Sequence, residues 1–410
     1  EPIAPTLGCN ECHFTARAVV CATNPAAGKE RELALEPAAK RRRILVVGAG
    51  PAGVETAWRA AVRGHDVVLA ERADRVGGVV ALLGLDPHRP QYARYADYLR
   101  DRLDWAGVDV RLGTEVDLAQ IDAMRAEVVV LATGAEEYVP PFGAALADPS
   151  APSCHTALEV LRGARLGARV LVVAGTDDQV GSLAMADLLA ARGHAVTLMA
   201  EAFSIGEGLE KATRYALVRR LLVRGVELRP LTKLVSLMPT SASVSASASA
   251  EVVQVWTGEK GTIATDSVVF ACGARARTGL ARALEERLWA NGKRENAGLG
   301  AGPDRSAGAG GPGRAESGLE VHSIGDCLAP RRIHQADQPN EAQAAFQRLD
   351  LATSFRHMRI AASRQGQYAQ ALGCQSFGPR QPHRSVQRHG DTIAIAVLRL
   401  PAGHTLGQHG

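Results

Sequence analysis

The stretch "RRRILVVGAGPAGVETAWRAAVRGHDVVLAERADRVGG", residues 41–78, decides how the rest of the chain is read. Ile44 to Val47 is a short continuous apolar run, the pattern of a parallel strand buried on both faces. A glycine-rich turn follows, then a helical pattern from about Ala52 to Arg63 that Gly64 can stop. Asp66 to Ala70 reads as the next buried strand, so the segment is a βαβ unit. Within it Gly48, Gly50 and Gly53 take the G-x-G-x-x-G spacing. The first glycine permits the tight turn, the second lets a pyrophosphate approach the backbone, and the third lets helix and strand pack closely. Glu71 stands eighteen residues past Gly53, at the end of the second strand. An acid there accepts hydrogen bonds from a ribose 2′-OH and disfavours a 2′-phosphate.

Farther along, "YARYADYLRDRLDWAGVDVRLG" (92–113) reads as a helix running into a strand, and "AEVVVLATGA" (126–135) as a strand ending in a small-residue turn at Thr133 and Gly134. The theme then repeats. "GARVLVVAGTDDQVGSLAMADLLAARGHAVTLMAEA" (167–202) has the same order of strand, turn, helix, glycine and strand, and "DSVVFACGA" (266–274) mirrors "EVVVLATGA". Self-similarity of this kind predicts an α/β protein with two Rossmann-like dinucleotide-binding domains, one inserted in the other. The expected division is a Cys-rich segment over 1–40, a first domain over 41–160 and 266–336, a second over 161–265, and an irregular tail over 337–410. In the second turn Gly175 holds the first glycine place, but Asp177 and Val180 stand where the second and third belong. A side chain at the second place blocks close approach of a phosphate, and Asp177 with Asp178 repels one, so NAD(P) is not expected there and a scaffold role is. The small-residue tracts 239–250 and 297–318 are expected to be loops.

Composition narrows the classes. The chain has 410 residues, 46% of them apolar and only 4% aromatic, with 47 Lys and Arg against 43 Asp and Glu. That balance suits a helix-and-sheet globular protein and argues against disorder as the main state. The basic run Lys40 to Arg43 reads as a solvated edge, and neither nucleic acid nor membrane is expected as a partner. No apolar run approaches the ~20 residues that a membrane span needs, and no signal peptide is visible, so the default location is the cytoplasm. Glu1 rather than Met opens the chain, as in a fragment of a longer protein. No Ser/His/Asp arrangement or paired carboxylate set stands out. His155, His194, His322 and His334 are scattered, and no catalytic residue is assigned.

Three of the seven cysteines, Cys9, Cys12 and Cys21, crowd into "GCNECHFTARAVVC". Taken alone they are open to an iron–sulfur site, to zinc with His13 as a fourth ligand, or to unligated thiols. The extension Glu71-x5-Gly77-Gly78 is typical of FAD-binding enzymes with two dinucleotide domains, and "HSIGDCLAP" (322–330) adds Gly325 and Asp326. Asp326 is otherwise a turn residue or a helix cap. Together "GCNEC", "CATNPAAGKE", "ILVVGAGPAGVETA", "ERADRVGG", "VVVLATGA", "GARVLVVAGTDD" and "IGDCLAPRRI" cover roughly 6–336 in order. They resemble the C-terminal portion of the iron–sulfur flavoprotein oxidoreductases related to 2,4-dienoyl-CoA reductase and trimethylamine dehydrogenase.

The resemblance implies an FAD-dependent oxidoreductase whose present chain is the electron-transfer portion. FAD would lie on Gly48, Gly50, Ala52, Gly53, Glu71, Arg72 and Gly78, with Arg89, Val116, Thr133, Gly134 and Asp326 around it. Arg89 is carried over from a basic residue after the double glycine, and Val116 from a strand turn that meets the adenine. Asp326 would lie beside the pyrophosphate and ribityl chain. The resemblance also implies a [4Fe-4S] cluster on Cys9, Cys12 and Cys21, with Thr6 where the first ligand belongs. An FMN would sit only on an N-terminal barrel that this chain lacks, so the partner is an FMN barrel or a small-molecule redox substrate. Two other readings stand beside it: an ADP- or FAD-binding scaffold without turnover, and a truncated, decayed family member.

Overall fold

The structure is a computed structural model that describes residues 1–9, 12, 21–140, 151–175, 180–207, 209, 211–238, 248–290, 297–298 and 319–327. The chain divides into compact units Glu1–Leu351 and Ala352–Gly410, and the second lies wholly outside the described residues, with the expected tail 337–410.

The βαβ unit forms as its pattern predicts. Strand β1 (Arg43–Val47) leads through the glycine turn into helix α1 (Pro51–Val62), and strand β2 (Asp66–Ala70) follows. Pro51 opens α1 where a missing N–H costs nothing, and Gly64, at φ +94°, ends the connection to β2. Helices α2 (Val79–Leu83) and α3 (Pro90–Trp105) precede strand β3 (Asp109–Arg111). Helix α4 (Leu118–Met124) starts in a capping box in which Asp117 accepts from the Gln120 N–H while the Gln120 side chain accepts from the Asp117 N–H. Strand β4 (Val128–Leu131), wholly buried, returns to the far side of β1.

The repeat has the same layout. After the short strands β5 (Ala135–Glu137) and β6 (Ser153–Thr156) come helix α5 (Ala157–Leu161), strand β7 (Arg169–Ala174), helix α6 (Val180–Ala191) and strand β8 (Ala195–Met199). Helix α7 (Lys211–Val223) leads to strand β9 (Glu227–Arg229), and then strands β10 (Thr232–Met238), β11 (Ser249–Gln254) and β12 (Lys260–Ala264) form an antiparallel meander. Strands β13 (Ser267–Ala271) and β14 (Ala274–Ala276), helix α8 (Gly279–Ala290), and strands β15 (Ala297–Gly298) and β16 (Glu320–Ser323) complete the order.

The two large sheets are parallel throughout, with strand orders β15-β16-β4-β1-β2-β3 and β6-β13-β7-β8-β9. In each, the first strand of the repeat, β1 or β7, has its sequential neighbour on one side and a later strand on the other. That reversal makes a crevice at the carboxyl ends, where sheets of this kind bind ligands.

The division between domains falls elsewhere than the sequence suggests. Strands β6 and β13, expected in the first domain, belong to the second sheet. The physical reason is the repeat itself: β13 flanks β7 as β4 flanks β1, so its apolar face belongs to the second core. The chain crosses between the sheets along the antiparallel ribbon of β5 and β14. Two expected loops also shorten, since Ser249 and Ala250 join β11, and Ala297 with Gly298 pairs with β16.

Separate apolar cores cover the sheets. Trp58, Tyr95, Tyr98, Leu99 and Leu103 of α1 and α3 pack with Ile44, Val46 and Val130, and Leu7 and Ala22 from the N-terminal segment join them. In the second half Phe270 is fully buried among Leu171, Leu234 and Ile263, joining the parallel sheet to the meander. Phe270→Ala is therefore expected to cost about 3–5 kcal/mol in urea or guanidinium unfolding, through lost burial and the cavity left behind.

Candidate functional site

The glycine turn lies at the switch point of the first sheet, between β1 and β4. A methyl group added at Gly48 would come within 2.3 Å of the Ala132 carbonyl oxygen, and Gly48 also has φ +107°. One added at Gly53 would lie 1.9 Å from the Gly48 oxygen. These two glycines let turn, helix and β4 close on one another. Gly50 behaves differently: nothing lies within 4 Å of a Cβ built there. Its backbone is extended, at φ −72° and ψ 176°, so an L-residue would sit without strain. The open side of Gly50 is the space that a close backbone approach by a ligand needs.

Glu71 closes the turn from the other side. Its Oε2 accepts from the Ala49 N–H at 2.7 Å and its Oε1 from the Ala73 N–H at 2.9 Å. The carboxylate is thereby aimed at the turn, and each oxygen retains a lone pair for a ribose hydroxyl. Gly77 and Gly78, both at positive φ, bring the following loop onto the turn: the Gly77 N–H donates to the Ala49 oxygen at 2.8 Å, and a Cβ on Gly78 would meet Gly50 Cα at 3.0 Å. Val116 is buried beneath β2 and β4. Gly325, at φ +66°, has room only for a hydrogen beside the Ala52 methyl, which seats Asp326 near the start of α1. Cys327 next to it is buried, its thiol facing the Leu131 and Ile324 carbonyls, and burial raises its pKa. Arg72 is exposed at the mouth. Arg89 caps α3, with Nε 3.7 Å from the buried Asp86 carboxylate and its guanidinium 5.9 Å from the Tyr92 ring.

Thr133 and Gly134 meet a partner that motif reading passes over. The Thr133 hydroxyl donates to the Arg277 carbonyl at 3.1 Å, and the Arg277 N–H donates to the Gly134 oxygen at 3.0 Å. Arg277 Nη1 reaches back to the Thr133 oxygen at 3.3 Å. The only sequence signal for this residue was its place just past "DSVVFACGA", the segment that mirrors the strand before Thr133.

The second turn keeps half of the same construction. A Cβ on Gly175 would lie 2.9 Å from the Cys272 carbonyl carbon, as Gly48 abuts Ala132, whereas Gly181 faces open space. Asp177 and Asp178 lie outside the described residues.

The three opening cysteines differ in exposure. Cys9 is half-buried against the first core, Cys12 is exposed, and Cys21 Sγ lies 3.4 Å from the Thr23 hydroxyl. The Thr6 hydroxyl accepts from the Gly8 N–H at 3.2 Å. Among the described residues no group of three or more His, Cys, Asp or Glu converges on a metal position. His13 lies outside them. The scattered histidines have local roles: His194 Nδ1 pairs with the Gly167 oxygen at 2.8 Å, and His322 Nε2 with Glu320 Oε1 at 2.7 Å. His155 lies in β6, and His334 is outside the described residues. Two residues of the basic run have protein acceptors, Arg42 pairing with Glu320 at 2.6 Å and Arg43 Nε donating to the Arg125 oxygen at 3.0 Å. Among the described residues no helix is long and apolar enough to cross a membrane.

Known proteins share this layout. The family described as pyridine nucleotide-disulphide oxidoreductase matches residues 26–124 and 119–297. The N,N-dimethylglycine/sarcosine dehydrogenase of Chromohalobacter salexigens is 29% identical over 347 residues, 82% of this chain and 49% of that protein. The bilirubin reductase of Mediterraneibacter gnavus is 30% identical over 281 residues, 68% and 41% of the two. A 2-naphthoyl-CoA reductase complex superposes with a TM-score of 0.66 at 26% identity, over 82% of this chain and 45% of that one. Histamine dehydrogenase from Rhizobium sp. 4-9, at 22% identity and a TM-score of 0.64, shares the fold over 83% and 49%. The chain spans about half the length of the curated relatives it matches. These matches bear out the resemblance drawn from the motifs. With both parallel sheets and the glycine turn in place, the chain belongs to the pyridine nucleotide-disulphide oxidoreductase family.

Proposed function

We propose that the chain is the dinucleotide-binding, electron-transferring portion of an FAD-dependent oxidoreductase of the amine dehydrogenase and enoyl reductase kind. One observation carries the reading: at the switch point, an open Gly50 faces the same turn that the Glu71 carboxylate grips through the Ala49 N–H. Gly48 and Gly53 set the turn, and the N-terminus of α1 offers its unpaired N–H groups and dipole to a diphosphate, worth about 0.3–1 kcal/mol for each such charge. Glu71 orients the ribose, and Val116 supplies an apolar wall for the adenine. Gly78 and Gly325 bring their loops close without side chains in the way, so that Arg89 and Asp326 stand at the rim. When bound, the flavin supplies the reversible two-electron chemistry, and the chain positions it and shields it from water.

The electron partner in this reading is a small-molecule redox substrate or an FMN barrel, in keeping with relatives named as dehydrogenases of methylated amines and as reductases. The second half, with Asp177 at the place of the second glycine, serves as scaffold, and the location is cytoplasmic.

Titration of the purified chain with FAD and ADP, followed by calorimetry and the flavin absorption bands, tests the reading, with iron assayed on the same sample. Binding of both ligands supports it, whereas a folded chain that takes up neither defeats it. FAD bound without reduction by any electron donor would leave a scaffold rather than an electron carrier. Gly50→Ala should keep the unfolding free energy within about 0.5 kcal/mol while weakening FAD and ADP at least about tenfold. Gly53→Ala, which drives a methyl into the Gly48 carbonyl, should instead lower stability by about 1–3 kcal/mol with or without ligand. Glu71→Leu leaves the Ala49 N–H without its acceptor, and the ligand-free chain is expected to lose about 1–3 kcal/mol in thermal or urea unfolding.

A further inference from the structure

Arg277 sits where the two halves of the chain meet the glycine turn. The ribbon of β5 and β14 pairs Ala135 with Ala276, and Arg277 is the next residue along. Three hydrogen bonds tie it to the turn after β4: N–H to the Gly134 oxygen, carbonyl from the Thr133 hydroxyl, and Nη1 to the Thr133 oxygen. The first two hold the backbone in place, and the third holds the side chain against the crevice between β1 and β4.

The guanidinium is poorly compensated where it lies. It is half-buried, and among the described residues no carboxylate stands within ion-pair distance of it. Burial and then the charge of Arg72 lower its pKa, with Glu136 and Glu71 acting the other way and Arg162 adding to the first effect. An arginine stays charged under such conditions, so a half-buried cation without an ion pair among the described residues is held at the turn after β4. A half-buried charge of this kind is stabilised by an anion that comes to lie beside it. A dinucleotide seated over Gly50 brings two negative phosphates to this crevice.

We propose that Arg277, just past the strand on which the chain returns from the inserted half, is a binding residue of the first site and provides a counter-charge for the diphosphate of the bound dinucleotide. The proposal rests on the FAD-site reading and adds a contact that the glycine motif does not contain. It also makes the site composite: the turn comes from the first half, and part of the charge comes from beyond the return strand of the second.

The test compares ADP, AMP and adenosine binding by calorimetry in the whole chain and in Arg277→Gln and Arg277→Lys. Arg277→Gln should weaken ADP and FAD by about ten- to a hundredfold, the usual size of a charge-assisted contact, and leave adenosine within about twofold. Arg277→Lys keeps a positive charge and should recover much of the loss, and added salt should weaken ADP binding more in the parent than in the Gln variant. Equal losses for ADP and adenosine would show Arg277 to be only a backbone clasp and overturn the proposal, as would ADP binding that the Gln substitution leaves unchanged. If the Gln variant does not fold, Arg277→Met, which keeps the aliphatic stem and removes the charge, decides: an ADP-to-adenosine affinity ratio lowered at least about tenfold with a weaker salt dependence upholds the charge role, and a ratio within about threefold of the parent refutes it. A parent chain that binds neither ADP nor FAD would instead show that the site reading itself is wrong, and that result appears before any substitution is made.

Discussion

The contact on which the rest depends is backbone against backbone. Gly53 lies so close to the Gly48 carbonyl, and Gly48 so close to the Ala132 carbonyl, that a single methyl at either place would overlap an oxygen. This packing brings β1, α1 and β4 together at one point, and the crevice for a ligand is what remains on the side that Gly50 leaves open. Every other feature of the site is arranged around that point. Glu71 hydrogen-bonds to it, the loop of Gly77 and Gly78 folds over it, and Gly325 approaches α1 from the end of β16.

The second half of the chain repeats part of the same construction. Gly175 still abuts the residue after the neighbouring strand, Cys272, as Gly48 abuts Ala132. Helix α6 is buried over nearly its whole circumference, and its one acidic residue in the described core, Asp187, is paired with Arg220 at 2.8 Å and lies 3.3 Å from Arg224. The repeat thus preserves the sheet and its apolar cover.

Much of this was legible in the sequence because it depends on local rules. Continuous apolar runs marked the parallel strands, the glycine turn and Gly64 bounded α1, and the spacing from Gly53 to Glu71 placed an acid at the end of β2. What was not legible depends on which strand neighbours which. Residues 266–271 look alike as a strand of either sheet, and only their pairing with β7 assigns them to the second. Arg277 carries no motif; its importance comes from a ribbon that returns it to Thr133 across 144 positions of sequence.

The ribbon of β5 and β14 also bears on how such a chain is assembled. Glu137, where the chain leaves the first half, is the register partner of Ala274, where it comes back. A polypeptide that departs and returns through adjacent positions of one antiparallel pair has in effect been opened at a single point, with everything between threaded into the gap. A short hairpin turn would close that opening and leave the glycine turn, the Glu71 carboxylate and Arg277 all on the retained piece. Modules of this kind can be gained, lost or exchanged in evolution by one insertion, with no rearrangement of the strands that hold the ligand crevice.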